Sequence, residues 1–146
     1  MFAYTLVLSL HAIGLAIVLG LNWLIALRLL GKASAIPLTA LRSLYGTIWF
    51  GFAINLVSGV LLFIASATHM GVMHVFWIKM VAVATGMVVS LQLKKRYLDD
   101  TTALASGVVP AGARRMAWWL LGVWFFALVA GRMTGYPELI FRWFGI

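Results

Sequence analysis

The sequence predicts an all-α integral membrane protein: a four-helix bundle, N-out and C-out, with a short interfacial helix at its C-terminus. Composition is the first reason, since 64% of the 146 residues are hydrophobic and only 10% are charged, more apolar surface than a soluble domain of this size buries. The mean hydropathy of +1.07 agrees. The second reason is the division of that apolar content into four runs, residues 4–30, 45–66, 75–96 and 115–134, each near the roughly 20 helical residues that cross a hydrocarbon layer of ~30 Å. The third is the placing of the eleven Lys and Arg, which gather at the ends of those runs. That pattern assigns the net charge of +8 to membrane topology and not to a nucleic acid. Residues 1–146 therefore form a single transmembrane domain. The absence of cysteine excludes disulfides, iron–sulfur clusters and thiolate metal sites.

In the first run no Lys or Arg precedes Arg28, whereas a secretory leader carries positive charge ahead of its apolar segment, so this is a retained span. Gly31, Lys32, Ser34 and Pro37 interrupt it, and Leu41-Arg42-Ser43 leads into the second span. A connection containing His69 and His74 follows, then the third span, closed by Lys94-Lys95-Arg96. Between Tyr97 and Arg115 the chain is polar, with Asp99-Asp100-Thr101-Thr102 offering N-cap chemistry and Gly107, Pro110 and Gly112 breaking structure. The fourth span opens on Arg114-Arg115 and is rich in tryptophan and phenylalanine. The tail from Pro137 to Phe144 fits a short helix lying in the headgroup layer or docked on a partner. Basic residues flank loops 31–44 and 97–114, which makes both cytoplasmic by the positive-inside bias. The N-terminus, the histidine-bearing connection and the tail then face outward, as in a bacterial inner membrane.

Depth follows from counting. At 1.5 Å per residue from the cytoplasmic ends, His11, Lys79 and Arg132 lie within about 5 Å of the outer boundary and His74 lies at it. Ionisable groups inside a span are costly and mark sites that face the bundle interior. None of the three acidic residues falls within a span, which argues against the carboxylate relays of cation-coupled transport. A layer of imidazole, ammonium and guanidinium calls for an anionic partner. Haem b answers that description: His11 and His74, or His69 in place of His74, supply axial imidazoles, while Lys79 and Arg132 neutralise propionates. The competing reading makes His11 a structural hydrogen bonder, leaves the other histidines solvated and lets the two cations snorkel to the surface.

Two stripes support an interior pocket. His11, Gly14, Val18 and Asn22 share one face of the first span, and Gly51, Asn55, Ser58 and Gly59 share one face of the second. Small residues allow close helix approach, and Asn22 and Asn55 bring hydrogen-bonding side chains to the pocket or to the seam. Trp23, Trp49, Trp77 and Trp143 read as interface or core aromatics.

Leu10-His11-Ala12-Ile13-Gly14-Leu15, Leu27-Arg28-Leu29-Leu30-Gly31, Ser58-Gly59-Val60-Leu61-Leu62-Phe63, Phe76-Trp77-Ile78-Lys79 and Ala130-Gly131-Arg132 together resemble a bacterial family of four-helix membrane proteins of uncharacterised function. More remotely, the layout is similar to the membrane part of the copper-resistance D proteins and to the four-helix bacterial protoporphyrinogen oxidase, a b-haem protein. The oxidase resemblance implies haem as cofactor, His11 as its ligand or catalytic histidine, and Lys79 as the essential lysine. The oxidase's Leu-Pro-Arg signature has no counterpart in Asn22-Trp23-Leu24-Ile25-Ala26-Leu27-Arg28, which lacks proline. For copper, the clustered soft or imidazole ligands are His69, Met70, Met73 and His74. The function expected is electron transfer through haem b between the quinone pool and a partner at the outer face. The alternatives are a porphyrinogen-oxidising enzyme using the same site, and a cofactor-free accessory subunit of a larger membrane complex. The partners expected are the lipid bilayer, quinone, other membrane subunits or further copies of the chain.

Overall fold

The computed structural model describes residues 2–100 and 105–134. Four helices in it are long and apolar enough to cross a membrane: α1 (Phe2–Leu29), α2 (Leu44–Ala65), α4 (His74–Leu93) and α5 (Ala111–Met133). A one-turn helix, α3 (Ala67–Met70), stands where a loop was expected between α2 and α4. No strand occurs among the described residues. The chain has the architecture of a polytopic membrane bundle. The expected tail helix lies outside the described residues, as do Thr101 and Thr102.

Local chemistry accounts for the helix ends. Gly31 adopts φ +81°, and its N–H bonds the Arg28 carbonyl while the Lys32 N–H reaches the Leu27 carbonyl. This is a Schellman closure, and the left-handed residue it needs is the one without a Cβ. The Arg28 Nε–H donates to the Ile36 carbonyl and ties the returning loop to the helix end. Pro37 then leads into a 3₁₀ turn, Leu38–Arg42. Helix α5 starts at Ala111, four residues ahead of the expected boundary, because Pro110 has the extended geometry of a helix-preceding residue and needs no donor there. After Leu93 the chain continues through a π turn, Lys94–Leu98.

Helix α1 packs along both α2 and α5, and α5 packs along α4. In a lipid solvent the apolar side chains gain little by leaving the bilayer, so close packing and interhelical hydrogen bonds hold such helices together. Gly14 is where α1 meets α2: a Cβ there would lie 2.7 Å from the Asn55 backbone nitrogen and 2.9 Å from the Gly51 carbonyl oxygen. Gly86 does the same for α4 and α5, since a Cβ would come within 2.9 Å of the Trp124 indole. That indole is only 1% exposed and fills the middle of the bundle.

Helices α2 and α4 touch at their ends. Phe63 stacks on Phe76 at 5.2 Å, and the Tyr45 hydroxyl donates to the Ser90 carbonyl at 2.9 Å at the other extreme. Around the latter contact Asp99 joins Arg42 at 3.4 Å and Lys94 at 3.2 Å, and the Lys94 ammonium lies 5.8 Å from the centre of the Tyr45 ring. The bundle thus has a basic end, carrying Arg28, Arg42, Lys94 and Arg115, and an opposite end carrying His74.

Candidate functional site

His11 faces α2. Its Nδ1 lies 3.0 Å from the Asn55 backbone carbonyl and 3.1 Å from the Ser58 hydroxyl. The proton positions follow from the neighbours. A carbonyl only accepts, and the Ser58 hydroxyl spends its single proton on a backbone carbonyl, Ile54 at 2.6 Å or Asn55 at 3.2 Å. The neutral ring therefore carries its proton on Nδ1 and donates it to Asn55, which leaves the lone pair on Nε2. Nε2 has no hydrogen-bond partner among the described residues. Gly59 gives the ring its room: a Cβ there would lie 3.1 Å from His11 Cε1.

Lys79, on α4, crosses to α5, where its stem lies over Gly131 with Cε 3.5 Å and Nζ 3.9 Å from the position a Cβ would take. No hydrogen bond or ion pair to a described residue engages Nζ. His11 of α1 thus meets Ser58 and Gly59 of α2, and Lys79 of α4 meets Gly131 of α5.

Arg132 follows Gly131, is exposed, and is engaged in an interaction of its own. His74 opens α4 five residues before Lys79, about 7.5 Å further along the axis, and is exposed. His69 belongs to α3; its side chain lies outside the described part of the structure. Asn55 is 8% exposed and serves His11 through its backbone, its own Oδ1 having no partner among the described residues. Asn22 is fully buried and donates through Nδ2 to the Val18 carbonyl at 2.8 Å, again with Oδ1 unpartnered. It stands eleven residues from His11, roughly 16 Å down the same stripe, near the level at which Tyr45 meets Ser90. The pocket expected from the stripes therefore has its polar groups on two levels.

Among the described residues no three His, Cys, Asp or Glu side chains gather as a metal-ligand cluster. The chemistry on offer is one imidazole lone pair on α1 and one ammonium on α4. Sequence reading placed Ser58 in a packing stripe and did not pair it with His11, and it did not place Gly131 under the lysine. The small-residue spacing on α2 and the Gly131-Arg132 pair were the signals available. Comparison with protein families, with characterised proteins and with solved structures finds no match.

Proposed function

We propose that the chain is a b-type haem protein of the membrane that carries electrons between the quinone pool and a partner at the histidine-bearing face. One observation carries this reading: His11 holds its Nδ1 proton against a backbone carbonyl and so offers Nε2 as a ligand, the arrangement that orients metal-bound histidines in general. The donor set is compatible with haem b. Imidazole serves as an axial ligand, and the half-buried ammonium of Lys79, with no carboxylate of a described residue paired to it, suits a propionate. When bound, the haem iron supplies one-electron chemistry. The protein's own part is to fix the ring through Asn55, to hold the acidic edge with Lys79, with Arg132 next along α5, and to surround the group with apolar side chains that exclude water. His74 or His69 is the second axial ligand in this proposal. The cytoplasmic position of loops 31–44 and 97–114 and the bacterial inner membrane belong to the same reading.

The test is the reduced-minus-oxidised visible spectrum of protein purified from haem-sufficient cells. A b-type band in the native chain, absent from His11→Ala and weakened in Lys79→Gln, is the expected result. A colourless native protein ends the proposal. Comparing His74→Ala with His69→Ala identifies the second ligand.

A further inference from the structure

On the outward side of α4 and α5 the helices leave a groove of about 920 Å³, well away from the His11 face. Trp118, Trp119 and Val123 line it from α5, with Arg115 at one end, and Ile78, Val81 and Thr85 line it from α4 nearer the other end. The two contacts between these helices, Trp124 on Gly86 and Lys79 on Gly131, set an antiparallel register that puts Arg115 at the basic end.

The groove's polar groups are few. Thr85 gives its hydroxyl proton to the Val81 carbonyl of its own helix at 2.8 Å, so it asks nothing of an occupant. Arg115 is different: no described residue hydrogen-bonds or pairs with it, and the nearby carboxylate of Asp99 is already held by Arg42 and Lys94. Along α5 the lining from Arg115 to Phe126 runs eleven residues, roughly 16 Å, about the depth of one leaflet of a ~30 Å hydrocarbon layer, and the α4 lining continues beyond it toward Trp77. Trp118 and Trp119, 65% and 70% exposed, stand one turn inside Arg115, at the depth where indoles favour the boundary between headgroups and chains. Gly122 keeps the floor low, for a Cβ there would meet nothing within 4 Å.

We propose that this groove binds one anionic phospholipid of the leaflet at the basic end, an acyl chain lying along Trp118, Trp119 and Gly122 and the phosphate held by Arg115. A guanidinium fork matches a phosphodiester. Headgroup selectivity follows from charge: a zwitterionic lipid brings an ammonium or choline toward a surface that already carries Arg114, Lys95 and Arg96, whereas an anionic glycerol headgroup does not. The site is independent of haem, so the two proposals fail separately.

Two substitutions divide the site. Arg115→Gln removes the phosphate contact, and Gly122→Leu puts a bulky side chain on the floor at a position where a Cβ meets nothing within 4 Å. The native chain and both variants are reconstituted in phosphatidylcholine vesicles containing a minor fraction of either dibrominated phosphatidylglycerol or dibrominated phosphatidylcholine, and tryptophan fluorescence is followed. Matching helix content by circular dichroism checks the fold of each variant. In the native chain the brominated glycerol lipid should be favoured about fivefold in quenching affinity, the effect of one arginine near an anionic headgroup. Arg115→Gln should abolish the preference, and Gly122→Leu should weaken quenching by both lipids. Equal quenching by the two lipids in the native chain, or a preference that survives Arg115→Gln, overturns the proposal. So does a groove closed to both lipids by pairing of two chains, seen as weak quenching with a doubled mass in detergent.

Discussion

His11 passes its Nδ1 proton to the main-chain carbonyl of Asn55, 3.0 Å away on the neighbouring helix. Because the acceptor is backbone, no substitution of the Asn55 side chain removes it. What sets the histidine's tautomer is therefore the distance between α1 and α2, and that distance rests on Gly14.

The tautomer is a direct prediction. In protein labelled with 15N at histidine, His11 should show the Nδ1–H pattern when neutral, and Ser58→Ala should leave it unchanged because the hydroxyl acts only as a second acceptor beside the carbonyl. A switch to the Nε2–H form in the native chain would remove the free lone pair on which the haem proposal depends.

Gly14→Ala should be far more harmful than a surface Gly→Ala change. The added methyl meets backbone at 2.7 Å, and backbone yields less readily than a side chain, so a loss of about 1–3 kcal/mol is expected. Thermal unfolding in detergent measures it. Gly122→Ala, with open space around it, is the control and should unfold at or above the native temperature, since alanine favours the helix by up to about 1 kcal/mol.

Trp124 separates volume from polarity. Its ring fills the bundle at 1% exposure, yet its indole N–H has no hydrogen-bond partner among the described residues. Trp124→Ala should cost about 3–5 kcal/mol through the cavity it leaves, while Trp124→Phe should cost much less, as it deletes an unpartnered donor along with part of the ring. Equal losses in the two variants would show that a partner such as a buried water holds the N–H.

At the basic end, Tyr45→Phe removes the hydroxyl that reaches the Ser90 carbonyl, a loss of about 0.5–1.5 kcal/mol. Asp99→Asn should matter less and should lose its effect in high salt, because the pairs to Arg42 and Lys94 are well exposed and such pairs are worth at most about 1 kcal/mol. Unfolding midpoints at low and high salt distinguish the two.

The sequence alone determined the apolar solvent and the number of spans. The bilayer explains why: its thickness fixes how many helical residues fit, so four apolar runs of that length read as four spans with no knowledge of packing. The stripes of Gly14, Val18 and Asn22 and of Gly51, Asn55 and Ser58 were legible for a similar reason, since helical periodicity gathers them on one face. Tertiary structure alone decided which faces meet. Pairing α1 with α2 gave His11 a backbone acceptor instead of a side-chain one, pairing α4 with α5 laid Lys79 across Gly131, and the same pairing opened the groove that ends at Arg115. Periodicity is a property of one helix, but a contact belongs to two, and in a medium as apolar as the side chains themselves hydropathy does not rank the possible pairings. Shape does, through a few glycines and one buried tryptophan.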